Sequence, residues 1–298
     1  MPRCVPSRRP VGNLPAVRRI LAALAAVAML AAGFLVRRSL DDPQRGKAAL
    51  RLACVPEAAA ACSSVENSMV DELSPAEIEK ALKGAAGDPP YDAVVTVGPW
   101  PERIKGRTQA ATPTSDAPLV SSPVVVARRS GVTDTCASKL VCLVGLKGRA
   151  SFPNVATTTS GAIIAAQTMQ GGGVSQNDIA AETDKAVALI AQLRSATAAA
   201  NGFSSDPITT LTSGGALLDA VVDARVVIPT DAAGLVVTPV VPATTVQLRL
   251  IGFTSDERLP DVQSTLRRAL TAAGWQTNAT SGIPDVGLMS ATYARLQS

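Results

Sequence analysis

From about residue 48 onward, apolar runs of strand length alternate with segments of helical period, and this alternation limits the folds open to the chain. "LRLACV", "YDAVVTVG", "LVSSPVVVARR" and "TTVQLRLIGF" read as strands. Between them, "SPAEIEKALKG" is a compact helix signature. Ser74 is the expected N-cap, Pro75 the first helical residue, Glu77 the partner in a capping box and Gly84 the stop. "NDIAAETDKAVALIAQLRSATAAANG" reads as one long helix with an apolar face through Ile179, Val187, Ile190 and Leu193. "LPDVQSTLRRALTAAGW" reads as another, with Pro260 near its start and Gly274 at its stop. "SGGALLDAVVDA" is expected to be a helix and "RVVIPT" a strand, while "KLVCLVGL" suits a short strand or part of a crossover. Strands that alternate with helices imply an α/β fold with mostly parallel sheets. The long polar stretch at residues 101–118 breaks the pattern and reads as an insertion rather than a lid.

Composition agrees. Hydrophobic residues make up 47% of the 298 positions but aromatics only 3%, so a core must be built from alanine and branched aliphatics. Charge is divided unevenly. Residues 1–47 hold nine basic and two acidic side chains, net +7; residues 48–298 hold nineteen and twenty-two, net −3. The body therefore has no basic stripe, which argues against a nucleic-acid partner. There is no histidine, which excludes Ser-His-Asp and Cys-His catalysis and every histidine metal site.

The excess of positive charge surrounds "ILAALAAVAMLAAGFLV", residues 20–36, which carry no charge. A helix of that length spans about 25 Å, near the lower limit for a bilayer core. Arg3, Arg8, Arg9, Arg18 and Arg19 precede it, so residues 1–19 are expected in the cytoplasm and the body outside. A cleavable signal peptide competes with an uncleaved anchor. Ala31 and Gly33 suit a cleavage site, but the apolar run continues through Phe34, Leu35 and Val36, which favours the anchor. Residues 37–47 would be a linker.

Export gives the five cysteines a context. Cys4 lies in the basic tail. Cys54 with Cys62, and Cys136 with Cys142, are close pairs suited to two local disulfides in an oxidising compartment, with free buried thiols as the other reading. Their spacing is too wide for a C-x-x-C redox or zinc motif.

Four stretches resemble the type II periplasmic (extracellular solute-) binding protein fold, in its membrane-anchored actinobacterial kind. "YDAVVTVGPW" is similar to the strand that ends at the cleft. "SSPVVVA" is similar to the strand that crosses between lobes. "TTTSGAIIAA" is similar to the second-lobe loop and helix that meet a ligand, and "IPTDAAGL" to the returning crossover. The resemblance implies two lobes, each a mostly parallel sheet flanked by helices: residues 48–118 and 231–298 form the first, and 119–230 the second. It implies a small-molecule ligand, with the membrane as a partner through the N-terminal helix, and no cofactor.

Ligands of such folds meet the carboxyl ends of strands and the N-termini of helices. That selects Thr158, Thr159 and Ser160, Ser121 and Ser122, an apolar wall from Pro99 and Trp100, and Thr230 with Asp231. Ser160 also reads as the N-cap of the helix after it, and Thr157–Thr159 as the end of a strand. Three functions follow: an anchored solute-binding or sensor domain; a fold of the same kind without a ligand, serving as an envelope protein-interaction module; or an enzyme. For the enzyme the chain offers Ser138 beside Lys139, and Asp219 with Asp223 at helical spacing. Without histidine those are poor catalytic sets, and the enzyme reading is set aside.

Overall fold

In a computed structural model, the residues described are 49–83, 89–98, 113–146, 148–201, 207–213, 218–229, 234–277 and 282–297. They fall in the unit Ala49–Ser298. The basic tail and apolar segment, Gly84, Pro99, Trp100, Thr230 and Asp231 lie outside the described residues.

Among the described residues, eight strands are paired into a mixed sheet. They are β1 (Leu50–Cys54), β2 (Ser68–Glu72), β3 (Ala93–Gly98), β4 (Ser115–Arg129), β5 (Ala150–Ser151), β6 (Ala220–Ala224), β7 (Leu235–Pro239) and β8 (Thr245–Gly252). Their order is β2-β1-β3-β8-β4-β6-β5, with β7 also on β4. Pairing is parallel at the two ends, β2-β1-β3 and β6-β5. In the middle, β8 and β4 run antiparallel to all their neighbours. The expectation of mostly parallel sheets is therefore met only at the ends. Sequence alternation shows which segments are strands, but a strand's direction is decided by which sheet edge it returns to.

β4 joins the two halves. Ser115–Pro123 pair with β8, and Val124–Arg129 pair with β6 and β7. Its two prolines sit where a missing N–H does least harm. Pro118 lies at a register shift, and Pro123 is the last residue of the β8 ladder. Residues 115–118, expected to be irregular, are thus strand, and the expected lobe limit at 118 falls inside β4.

Nine helices complete the described residues: α1 (Pro56–Cys62), α2 (Pro75–Lys83), α3 (Leu140–Val144), α4 (Thr159–Gly171), α5 (Gln176–Ala180), α6 (Asp184–Asn201), α7 (Pro207–Thr212), α8 (Leu259–Ala272) and α9 (Val286–Gln297). α2 starts as its sequence dictates. The Glu77 carboxylate accepts from the Ser74 N–H at 2.8 Å and hydroxyl at 2.7 Å, and the Glu77 N–H donates back to the Ser74 hydroxyl. α8 begins at Leu259 with Pro260 behind it, and Gly274 follows its end at φ +95°.

Of the two readings of "KLVCLVGL", a short strand or part of a crossover, the strand gives way to helix α3. Three other expected elements differ. The long helix is two, α5 and α6, parted at Glu182, whose φ is +51°. Ile179, Ile190 and Leu193 are buried as expected, but Val187 is exposed. "SGGALLDAVVDA" ends in strand β6, and "RVVIPT" begins with turns. Ala220, Val221, Val222 and Ala224 are all buried because β6 lies between β4 and β5 with side chains packed on both faces. A short apolar run of that kind has no period to separate helix from strand.

The main core is continuous across both halves of the sheet, from Leu52 and Val95 through Ile163 and Met169 to Leu248 and Met289. A smaller cluster, including Val125, Leu211, Leu218 and Ile228, covers another face of β4 and β6. α4 is buried along its length from Thr159 to Met169 and packs against α9, α3, β6, β8 and β3. A helix buried on every side is a core helix, and the small residues of "GAIIAA" let its neighbours approach closely. Disulfides join Cys54 to Cys62, closing β1 onto the end of α1, and Cys136 to Cys142, tying a turn to α3.

Candidate functional site

The start of α4 is built by the residues just before it. The Asn154 carbonyl accepts from the N–H groups of Thr157 and Thr158 and from the Thr158 hydroxyl at 2.7 Å, while the Asn154 side chain accepts from the Ala156 N–H. The chain therefore makes a tight turn over residues 154–158, where a strand end was expected. Gly161 permits the turn to lie flat on the helix, since a Cβ there would stand 2.6 Å from the Asn154 oxygen. The N-cap is Thr158, whose hydroxyl accepts from the Gly161 N–H at 3.2 Å. Ser160 is not the cap: it lies within the first turn.

That shift by two residues frees Thr159 and Ser160 for other partners. The Thr159 N–H and hydroxyl both donate to one carboxylate oxygen, Glu57 Oε1, at 2.9 and 2.8 Å. Glu57 stands in the first turn of α1, 102 residues earlier. The Ser160 hydroxyl donates to Asp223 Oδ1 on β6 at 2.7 Å. Both side chains are at least 98% buried, Thr159 at 1% exposure and Ser160 at 2%. The helix end is thus flanked by two carboxylates, and the first-turn N–H groups, which have no partner within the helix, and the helix dipole favour that placement.

The structure brings Thr158, Thr159 and Ser160 together with Glu57 and Asp223. Ser121 and Ser122 are engaged elsewhere. Ser121 makes a two-way backbone pair with Gln276, at 2.7 and 2.8 Å, and its hydroxyl donates to the same residue's carbonyl. The Ser122 hydroxyl accepts from the Val226 N–H at 3.1 Å. Both hold β4 to the segments beside it.

Glu57 was missed because an acid after a helix-opening proline is an ordinary first-turn residue. Nothing in "VPEAAAAC" points to position 159. Asp223 was considered only with Asp219, as a helical pair. Both belong instead to the β6 segment, where Asp219 is ion-paired with Arg149 at 2.7 Å. Ser138 sits in a left-handed turn, φ +56°, and its hydroxyl bonds Asp134 and Thr238. Among the described residues no cluster of Cys, Asp or Glu has the arrangement of a metal site. A pocket of about 310 Å³ lies away from α4, between β4, β8 and α8, lined by Thr114, Ser115, Leu250, Thr254 and Leu259 among others.

No family model matches the sequence, and no curated protein is significantly similar to it. Likeness appears at the level of structure. A periplasmic thiamin binding protein aligns over 83% of this chain and 96% of its own, with TM-score 0.53 and 10% identity. Apo FutA2 from Synechocystis PCC6803 aligns over 84% and 98%, with TM-score 0.52 and 9% identity. The chain has the type II periplasmic binding protein fold. An OxyR mutant of Corynebacterium glutamicum aligns over 90% of this chain and 80% of its own, with TM-score 0.49 and 13% identity. The motif "TTTSGAIIAA" opens helix α4, and its Thr159 and Ser160 hydroxyls meet side chains of the same chain.

Proposed function

We propose that this protein is an exported solute-binding or sensor protein, held to the membrane by residues 20–36, that takes a small polar or anionic ligand at the start of α4. The observation that carries the reading is the convergence of the Thr159 N–H and hydroxyl on a single carboxylate oxygen. A backbone N–H and a hydroxyl aimed at one point, on a helix N-terminus, are the donors an anionic or carbonyl oxygen requires. The binding of thiamin by a protein of the same fold supports a small-molecule role. The reading is of a binding protein and not of an enzyme.

A thermal-shift screen of the full chain against inorganic anions, amino acids and small organic acids tests it. At least one compound should raise Tm, and Thr159→Val should abolish that rise, while its lost bond to Glu57 costs about 1–3 kcal/mol in the unliganded protein. An empty screen counts against the proposal. N-terminal sequencing of the membrane fraction tests the anchor: an intact residue 20–36 segment supports it, and a new N-terminus near Gly33 indicates a cleaved signal.

One observation favours the second reading, a ligand-free interaction module: every described candidate hydroxyl already has a partner within the chain. An empty screen, with partner capture from the cell envelope unaffected by Thr159→Val, would support that alternative.

A further inference from the structure

The two disulfides stand in different surroundings. Cys54 and Cys62 are each at 0% exposure. Cys136 is buried, but Cys142 is exposed on α3, whose inward side is made by Leu140, Leu143 and Val144. Between the bridged residues, Ala137 has φ +48° and Ser138 φ +56°. Two consecutive side-chain-bearing residues in that region persist only where their surroundings hold them. Those surroundings are one cluster. The Asp134 carboxylate accepts from the Cys136 N–H, the Ser138 N–H and the Ser138 hydroxyl, and pairs with Arg128 of β4 at 2.7 Å. The Arg128 side chain is only 9% exposed. The Ser138 hydroxyl also meets Thr238 of β7 at 2.8 Å, and the Ser138 carbonyl accepts from the Val241 N–H at 2.9 Å.

We propose that Cys136–Cys142 is a thiol–disulfide exchange site, attacked at Cys142 by a dithiol reductant, and that its opening releases the Asp134 turn from Arg128 and from the end of β7. A thiolate of the dithiol attacks Cys142 Sγ. The S–S bond breaks, and its electron pair leaves on Cys136 Sγ. The second thiol of the reductant, as thiolate, then attacks the reductant's sulfur in the mixed disulfide and expels Cys142. The dithiol is oxidised to a disulfide, Cys136 and Cys142 are reduced, and the dithiol's two protons end on them. Exposure selects this bridge, because exchange needs access to a sulfur and exposed bridges are the labile ones. α3 keeps its place through its three buried residues. The turn at 134–138 is what lets go, since an open chain there is no longer tied into two positive φ angles. The coupling is reciprocal: a bridge that supports the buried ion pair is supported by it.

The full chain, with Cys4 blocked by N-ethylmaleimide, is titrated with dithiothreitol in native buffer, alkylated with iodoacetamide and mapped by mass. Cys136 and Cys142 should be alkylated at least roughly tenfold faster than Cys54 and Cys62. Amide exchange at Val241 should rise on reduction and return on reoxidation, while that of Leu248, at 0% exposure in the core, stays unchanged. Asp134→Asn keeps an acceptor for the turn but loses the charge. It should raise the ratio of reduced to oxidised Cys136–Cys142 roughly tenfold at a fixed ratio of dithiothreitol to its disulfide. If that variant folds poorly, the wild-type exchange at Val241 still decides. Equal rates for both bridges overturn the exchange site. Selective reduction with no change at Val241, or no shift in Asp134→Asn, overturns the release and leaves an accessible bridge that controls nothing.

Discussion

Thr158 and Ser160 are two positions apart and hold different things in place. Thr158 caps α4, so Thr158→Ala should cost about 1 kcal/mol and speed amide exchange at Gly161, whose N–H it accepts. Ser160 ties α4 to β6 through Asp223, so Ser160→Ala should cost about 1–2 kcal/mol without affecting the Gly161 amide. Denaturant melts paired with exchange at Gly161 separate the two. If Ser160→Ala alone exposes that amide, the serine is the cap after all. The same scale holds a pH effect. Hydrogen bonds from the Ser74 hydroxyl and N–H hold the Glu77 carboxyl below its ordinary value of 4.5. Its folded pKa is therefore the lower one, so its contribution is present above about pH 4.5 and is lost as pH falls through the folded value. Protection from exchange in the first turn of α2, taken relative to the unprotected amide at each pH, should fall over that acid range, and Glu77→Gln should flatten the dependence.

Among elements, burial and not period decides what a substitution costs. α6 carries Leu193 at 2% exposure and Val187 at 47% on what reads as one apolar face. Leu193→Ala should cost about 2–5 kcal/mol. Val187→Ser should lie within about 0.5 kcal/mol of neutral, as surface changes do. Equal costs in urea melts would mean that Val187 is covered. α2 and α8 were legible because their capping and stop residues act within a few positions. α4 was legible as a helix but not in its first residue, because both threonines and the serine suit an N-cap. The turn held by Asn154 and the space above Gly161 choose Thr158. β6 was not legible, because "ALLDAVVDA" satisfies either element until its neighbours in the sheet are known.

Across the Ala49–Ser298 unit, one strand and one core carry the organisation. β4 pairs with β8 and then with β6 and β7, and the main core runs through both parts. Disulfides are supports on such a body rather than its foundation. Cys54 and Cys62 enclose a loop of separation 8, and replacing both with serine should cost roughly 2–3 kcal/mol. The double variant should still unfold in one cooperative transition. A variant that melts without cooperativity would show that the bridge, and not the core, holds β1 and α1 in place.

The sequence by itself determined the local features: the strands rich in valine, the capping box at Ser74 and Glu77, the two close cysteine pairs, and the absence of histidine chemistry. Each rests on residues within a few positions of one another, where propensity and hydrogen-bonding reach act directly. Only the tertiary structure decided strand direction, the burial of α4, and the partners of the candidate hydroxyls. Glu57 and Thr159 are 102 residues apart, and Ser160 and Asp223 are 63 apart. No period or spacing encodes such pairs, because they exist only once the sheet has brought α1, β6 and the start of α4 together.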